Sequence, residues 1–531
     1  MTPSRAAAPI PLDRAVALYG EAQTLLAAGD AQGAADRLDE ALRLRPHFAE
    51  ALAFGGYLIE RSGRTETAAR FYGRALELKP DMAIVWGNYG KVLFRLRQFE
   101  AALAAFDAAL ALKRGDADGL NGRAAALREL GQLDASAAAA TEALNRDPRS
   151  AEAALNLGNA LHKLGRPDEA LAAYRAALAL RPDYADALCG SALALRALGK
   201  LDDARAAFAQ AETLGCREAI SGRGCLDLML GDFERGFEGY EARWIAGRSL
   251  AEALGLRFPW WSGPGSPARR VLVFNDHGLG DTIQFVRYLP EMRAAGVEAT
   301  LVVPRKLHRL LAPSLEARLV EAAPEGESFD AQIALSSLPR AFGTRLSSVP
   351  ANVPYLAAEP ARVAHWRSRL SGPGLAIGVV WQGNPDPAAD RARSFPLEAL
   401  APVAAVAGVR LIALQIGEGL GQTNTAPFAI GKPGDDFDAG VDAFVDAAAV
   451  LMCLDLVICC DTSVAHLAGA LGRPIWIALK FDAEWRWMRE RDDSPWYPTA
   501  RLFRQPAAGD WGAVFAAMAQ ALPGLAQSRT P

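Results

Sequence analysis

The chain lacks paired cysteines. Its six, Cys189, Cys216, Cys225, Cys453, Cys459 and Cys460, make no CxxC pair and no metal-ligand spacing with the six histidines, which excludes a disulfide framework and a zinc module. Long apolar runs are also missing. The longest, 447–460, is interrupted by Asp455 and falls short of the ~20 residues a membrane span needs. Residues 1–12 hold three prolines and one arginine without the apolar centre of a signal peptide. These absences predict a reduced, cytoplasmic setting with no integral membrane contact. Charge of one sign is lacking as well: 57 basic against 61 acidic side chains leave a net charge of −4, so nothing draws the chain to nucleic acid. No Gly-x-x-x-x-Gly-Lys loop and no Gly-x-Ser-x-Gly elbow occur, which argues against P-loop ATPases and α/β-hydrolases. What remains is an ordinary globular composition, 51% apolar and 22% charged over 531 residues, with room for three or four domains of ~150 residues.

A period of 34 residues runs through the first half. Pro46, Pro80, Pro148 and Pro182 lie on it, with Arg114 and Cys216 at the two points that lack proline. Twelve residues before each point stand Ala34, Ala68, Ala102, Ser136, Ala170 and Ala204, and five before stand Ala41, Ala75, Ala109, Ala143, Ala177 and Ala211. Small residues recur where two helices must cross closely. Gly29, Gly63, Gly131, Gly165 and Gly199 mark the turn inside each unit, with Arg97 the exception, and Tyr72, Phe106, Tyr174 and Phe208 fill between units. These positions resemble the tetratricopeptide repeat (TPR), a helix–turn–helix unit that buries its apolar face only by stacking into a superhelix with a concave groove. Asn88, Asn121, Asn156 and Asn159 fall on or near the first helices, which line the groove in this family, so the resemblance makes them candidates for gripping the backbone of an acceptor protein. The expected domain is an all-α TPR solenoid over 1–244, its last part (230–244) an atypical capping pair. A linker rich in proline and glycine follows over 245–269.

Beyond 270 short apolar runs alternate with helical segments, the pattern of parallel sheets. Strands are expected at 271–275, 299–303, 318–321 and 331–335, then at 376–381, 409–416, 456–459 and 474–479. Between the two sets, 350–374 contains four prolines and reads as a hinge. The implied lobes span 270–365 and 366–531. Two polar corners fall at carboxyl ends of strands, where open α/β sheets bind ligands. One is Asp276-His277-Gly278-Leu279-Gly280-Asp281-Thr282, with glycines that let the backbone turn and a helix start with unpaired N–H groups. The other is Asp461-Thr462-Ser463-Val464-Ala465-His466, whose helix start caps itself or cradles phosphate.

Together with the repeats and Ser394-Phe395-Pro396-Leu397-Glu398, these corners resemble bacterial tetratricopeptide glycosyltransferases with a family-9, heptosyltransferase-like region. The resemblance covers 15–505. It implies a GT-B fold, two Rossmann-like lobes facing across a cleft, and an inverting, metal-independent transfer from a nucleotide-sugar co-substrate, with no cofactor. It makes Asp281 the base, with N-capping as its bland alternative and Asp276 and His277 as fallback bases. A carboxylate at a helix start has a lowered pKa, so burial is expected to offset that depression. On the donor side it implies Thr462, Ser463 and His466 at phosphate and ribose, Asp461 fixing the turn, Arg393 at the phosphate, and Gln415 at the base or ribose. Arg391 reads as a solvated charge. Asp436-Phe437-Asp438 has the form of a metal-binding Asp-x-Asp but is discounted, because GT-B enzymes neutralise the leaving group with helix dipoles and basic side chains. Trp485, Trp487, Trp496 and Tyr497 read as packing between lobes.

The functional expectation is protein O-glycosylation, with flagellin as an acceptor and the TPR groove recruiting it. Two alternatives stay open: an envelope-glycan or lipopolysaccharide transferase, and a non-catalytic TPR scaffold. The sequence also leaves self-association open.

Overall fold

The computed structural model describes residues 11–244, 256–383, 390 and 392–527. The chain divides into two compact units, 1–194 and 195–531, with the boundary inside helix Ala185–Ala197.

In the first unit, helices pair as the 34-residue period predicts: Ala49–Arg61 with Thr65–Leu78, Ala83–Arg95 with Phe99–Leu112, Ala117–Glu129 with Leu133–Arg146, Ala151–Lys163 with Pro167–Leu180. The expected crossing residues Ala68, Ala102, Ser136 and Ala170 are fully buried. The turn glycines take the left-handed conformation, φ 79° at Gly63 and 75° at Gly131, and Arg97, standing where glycine is missing, is forced to φ 60°. The aromatic positions have partners the period alone did not reveal. A Cβ on Gly56 would lie 2.8 Å from the Tyr72 ring, and one on Gly90 or Gly122 would lie 2.8 or 2.4 Å from Phe106. Tyr174 sits likewise between Gly158 and Gly190, at 2.6 and 2.5 Å. Each of Phe106 and Tyr174 is therefore seated between a glycine of its own unit and one of the next.

The second unit opens with helices Leu201–Thr213, Arg217–Met229 and Phe233–Tyr240 and the short turn Glu241–Trp244. Four parallel strands follow, β1 (Arg270–Phe274), β2 (Glu298–Val302), β3 (Arg318–Val320) and β4 (Ala331–Ala334), in the order β3-β2-β1-β4. Then come β5 (Leu375–Val380), β6 (Val409–Ala413), β7 (Leu456–Cys460), β8 (Ile475–Leu479) and β9 (Ala500–Arg504), in the order β6-β5-β7-β8-β9, again all parallel. Buried on both faces, strands such as β7 and β8 are continuous apolar runs. The second order is that of a doubly wound sheet whose chain reverses direction between β5 and β7, and the first sheet reverses between β1 and β4. Ligand crevices open at such reversals.

Three expectations need correction. β9 was not foreseen, because its Ala-Arg-Leu-Phe-Arg sequence carries the charge tolerated at a sheet edge. The 350–374 hinge contains helix Pro360–Leu370, whose buried Trp366 donates to Asp446 at 2.8 Å, so part of it is docked on the second lobe and the expected boundary at 366 falls inside a helix. The linker, described here from 256, is not irregular throughout. Trp261 donates its N–H to Gln332 and Gln332 to Pro259, both at 2.8 Å, extending the pairing beside β4. Among the described residues no helix is long and apolar enough to cross a membrane.

Candidate functional site

At the end of β1 the chain turns on Asn275, whose side chain accepts from the Thr282 hydroxyl at 2.9 Å. Helix Leu279–Phe285 starts there, and Gly278 donates its N–H to the Asp281 carboxylate at 3.2 Å. N-capping is thus part of what Asp281 does. The two fallback bases are engaged elsewhere. Asp276 points inward with 1% of its side chain exposed, taking the hydroxyl of Ser336, its N–H at 3.2 Å, and Arg243 at 3.4 Å. The reversal between β1 and β4 is therefore filled from within, which removes Asp276 from the role of base. His277 places Nε2 2.8 Å from the Tyr240 hydroxyl.

Asp281 itself keeps 24% of its side chain exposed and pairs with Arg486, which also donates Nε to Gln284 at 2.8 Å. Asp281 and Gln284 stand three apart on one helical face, so a single guanidinium meets both. Burial pushes the Asp281 pKa up, but the Arg486 guanidinium beside it, helped by the Gly278 N–H, outweighs burial and the net shift is downward. The expected offset by burial thus does not occur: Arg486 holds the carboxylate ionised. No pattern in the sequence pointed to Arg486, which stands between two tryptophans; the clue was only a charge inside an aromatic cluster.

The second corner lies directly against the first. A Cβ on Gly280 would approach His466 Cδ2 to 2.9 Å and Ser463 Cα to 3.3 Å, so a glycine is required where helix Leu279–Phe285 meets helix Ser463–Ala470. His466 is buried, accepts or donates to Tyr497 at 2.9 Å and stacks on Trp487 with centroids 5.5 Å apart. Burial, reinforced by Arg486, drives its pKa down to about 3, leaving a neutral ring. Asp461 is pushed up to about 6 by burial and by Glu484.

Thr462 stands at the helix N-terminus without capping it. Its hydroxyl oxygen and Arg393 Nε are buried without hydrogen-bond partners among the described residues. Arg393 and Asp461 line one small recess with Asp390, Lys480 and Glu484, at the β5–β7 reversal. Gln415 is not at this opening. Its carboxamide is spent on Gln382 N–H at 3.0 Å and on the carbonyls of Ile416 and Glu418 at 3.3 and 3.1 Å, which leaves it shaping the loop. Arg391 lies outside the described residues. Asp436 pairs with Arg369 at 2.7 Å and Asp438 accepts the N–H groups of Asp446 and Ala447 at 2.9 and 3.2 Å, the work of a surface ion pair and a helix cap.

In the first unit the asparagines are half-buried and partly paired. Asn156 donates to Asn121 at 2.6 Å and accepts from Arg128 at 3.1 Å, while Asn159 accepts from Tyr174 at 2.9 Å.

Residues 19–83, 121–185 and 161–219 match one tetratricopeptide repeat family and 61–126 another. The chain is 31% identical over 339 residues to protein FlbA of Caulobacter vibrioides, a match covering 58% of this chain and 55% of FlbA. The chain thus spans about half the length of the curated relative it matches. Among solved structures it is similar to a tetratricopeptide repeat protein from Parabacteroides merdae (19% identity, 45% of this chain and 96% of that one, TM-score 0.39). It is also similar to MamA of Desulfovibrio magneticus RS-1 (22%, 32% and 97%, TM-score 0.31) and to YrrB, a TPR protein with an unusual peptide-binding site (22%, 34% and 92%, TM-score 0.29). Helices on the 34-residue period, with their buried alanines and left-handed turns, fall within the residues that match the repeat families: residues 19–219 are an array of tetratricopeptide repeats followed by an α/β region of parallel sheets.

Proposed function

We propose that this chain is a glycosyltransferase of GT-B type, moving a sugar from a nucleotide-sugar to a hydroxyl of a protein that the TPR groove recruits. The observation that carries the reading is the apposition at Gly280. It brings a helix start bearing a carboxylate on one sheet against a helix start with an unpartnered threonine hydroxyl on the other. Inverting transfer needs a base for the acceptor proton and an electrophilic seat for the departing phosphate. Asp281 is the base in this reading. The N–H groups and hydroxyls of Thr462 and Ser463, with Arg393, receive the diphosphate, whose charge suits a helix N-terminus. No metal is required by that scheme, and flagellin is the acceptor to test first.

Thermal shift against CMP, UDP, ADP, GDP and TDP tests the donor seat, since a ligand at 100 times its Kd stabilises by ~2.7 kcal/mol. Intact-mass analysis of a co-expressed acceptor then tests transfer, with Asp281→Ala expected to abolish it. Transfer at the normal rate by that variant would refute the base.

A second reading, a TPR scaffold that binds proteins without catalysis, is favoured by the lining of the recess. Three carboxylates, Asp390, Asp461 and Glu484, meet two cations, Arg393 and Lys480, which is a poor balance for a diphosphate. No thermal response to any nucleotide would support it.

A further inference from the structure

Arg486 is buried in the second unit with a use that capping and packing do not explain. Its guanidinium spans Asp281 and Gln284 on one side and reaches Glu484 at 3.5 Å on the other. It lies over Trp485 at 4.5 Å and Phe285 at 5.8 Å. Trp485 is in turn fixed from the helical side: Phe237 meets it edge-on at 5.7 Å and Tyr240 at 5.9 Å. Neighbours in the same segment are fixed likewise, Asp482 by Arg196 at 3.5 Å and Met488 against Gly231, where an added Cβ would meet its Cε at 3.0 Å. Residues 481–488 thus face two ways, with Phe481, Asp482, Trp485 and Met488 on the last helices of the array and the helix after it, and Arg486 and Trp487 on the two corners.

A second buried arginine shows what a structural one looks like in the same fold. Arg287 donates to the carbonyls of Trp496 at 2.6 Å, Gln284 at 2.8 Å and Pro350 at 3.2 Å and to the Tyr355 hydroxyl at 2.9 Å. It touches no carboxylate among the described residues. Arg486 instead puts one arm of its fork on the carboxylate exposed at the corner, with Gln284 and Glu484 taking the others.

We propose that Arg486 is a positioning residue: it holds the Asp281 carboxylate at the Gly280 contact, and helix Phe233–Tyr240, which follows the repeat array, holds Arg486 through Trp485. This rests on the reading of Asp281 as base. The groups facing the pair are His277 on its own corner, His466 from helix Ser463–Ala470, Glu484 from the same segment as Arg486, Asp461 beyond it, and Tyr240 from helix Phe233–Tyr240. With Arg486 gone, burial acts on Asp281 unopposed by its nearest cation, so the carboxylate gains its proton at higher pH.

Two measurements on the full chain test this. The first needs no substrate: urea unfolding of wild type, Arg486→Met, Asp281→Asn and the double variant. The single changes should be non-additive by at least ~10-fold in the unfolding equilibrium constant; additivity overturns the proposal whatever the protein's activity. The second is the pH profile of kcat/KM for transfer. Arg486→Met should move the acid limb to higher pH and lower kcat more than it changes KM, while Arg486→Lys, keeping the charge and losing the fork, recovers the limb and only part of kcat. An unmoved limb in Arg486→Met overturns the proposal. Failure of the wild type to bind any nucleotide would refute the transferase reading, and the unfolding cycle decides the pairing separately in the same samples.

Discussion

The repeat array and the two-sheet region solve the same problem, burying a core, by opposite means. In the array one solution recurs every 34 residues: alanine at the crossing, glycine at the turn, a ring against a glycine. Its contacts are between neighbours in sequence, as in any solenoid. In the two-sheet region each key contact is unique and distant in sequence, such as Arg486 with Asp281 or Arg287 with the carbonyl of Trp496. Repetition makes the array readable and tolerant; singular long-range pairs make the sheets precise in placement and intolerant of loss. The division also runs elsewhere than composition suggests, since helices 201–240 belong with the sheets.

The largest expected effect tests that last point. A chain beginning at 245 loses Phe233, Phe237 and Tyr240 from Trp496 and Trp485 and leaves Asp276 without Arg243. At ~2 kcal/mol per buried aromatic it should fail to fold cooperatively, while a chain beginning at Ala185 unfolds in one transition by circular dichroism. Equal behaviour of the two would erase the distinction. Next comes Arg287→Met, which takes a donor from the carbonyls of Gln284, Trp496 and Pro350 and should cost ~3 kcal/mol in urea unfolding; a loss under ~1 kcal/mol would make the singular contacts no dearer than the repeated ones.

A third test uses two titrations of opposite sign. His466, lowered to about 3, contributes stability that is present above ~6.5 and is lost as pH falls toward 3. Asp461, raised to about 6, contributes stability present below ~3.8 and lost as pH rises through 6. Between pH ~4 and ~6 the two partly cancel. Asp461→Asn should therefore steepen the acid loss of stability, toward ~1.4 kcal/mol per pH unit, and His466→Gln should flatten it. The check is the unfolding midpoint against pH for both variants.

The smallest effects belong to the array. Gly158→Ala drives a methyl into Tyr174, already hemmed by Gly190, and should cost ~1–3 kcal/mol. Arg97→Gly relieves a left-handed arginine and should stabilise by about 1 kcal/mol. Denaturation of the full chain with both changes, separately, shows whether one rule governs every unit.

Much of this was legible in the sequence. Turn, crossing and ring positions of the array follow from period, and eight strands stood out as apolar runs. The corners at Asp281 and Asp461 were visible because glycines and helix-capping residues have a local signature. The rest was not local. Arg486 and the route of Asp276 to Ser336 depend on residues 60 to 205 positions away, and no spacing rule reports them. Gln415 was a candidate for the base or ribose through the family resemblance alone; only the loop geometry reveals that backbone has claimed its amide.

One ring is missing from the series that Phe106 and Tyr174 belong to. At the equivalent place in the fourth unit stands Ala140, and the flanking positions hold Ala124 and Asn156 in place of glycines. Where the other units are keyed together by an aromatic plate, this one is bridged by hydrogen bonds from Arg128 through Asn156 to Asn121. Polar bridges trade readily with water, so this junction is left to those bonds and to the small cluster of Ala124, Leu127, Ala139 and Ala140, and within the array amide exchange should be fastest across 124–156.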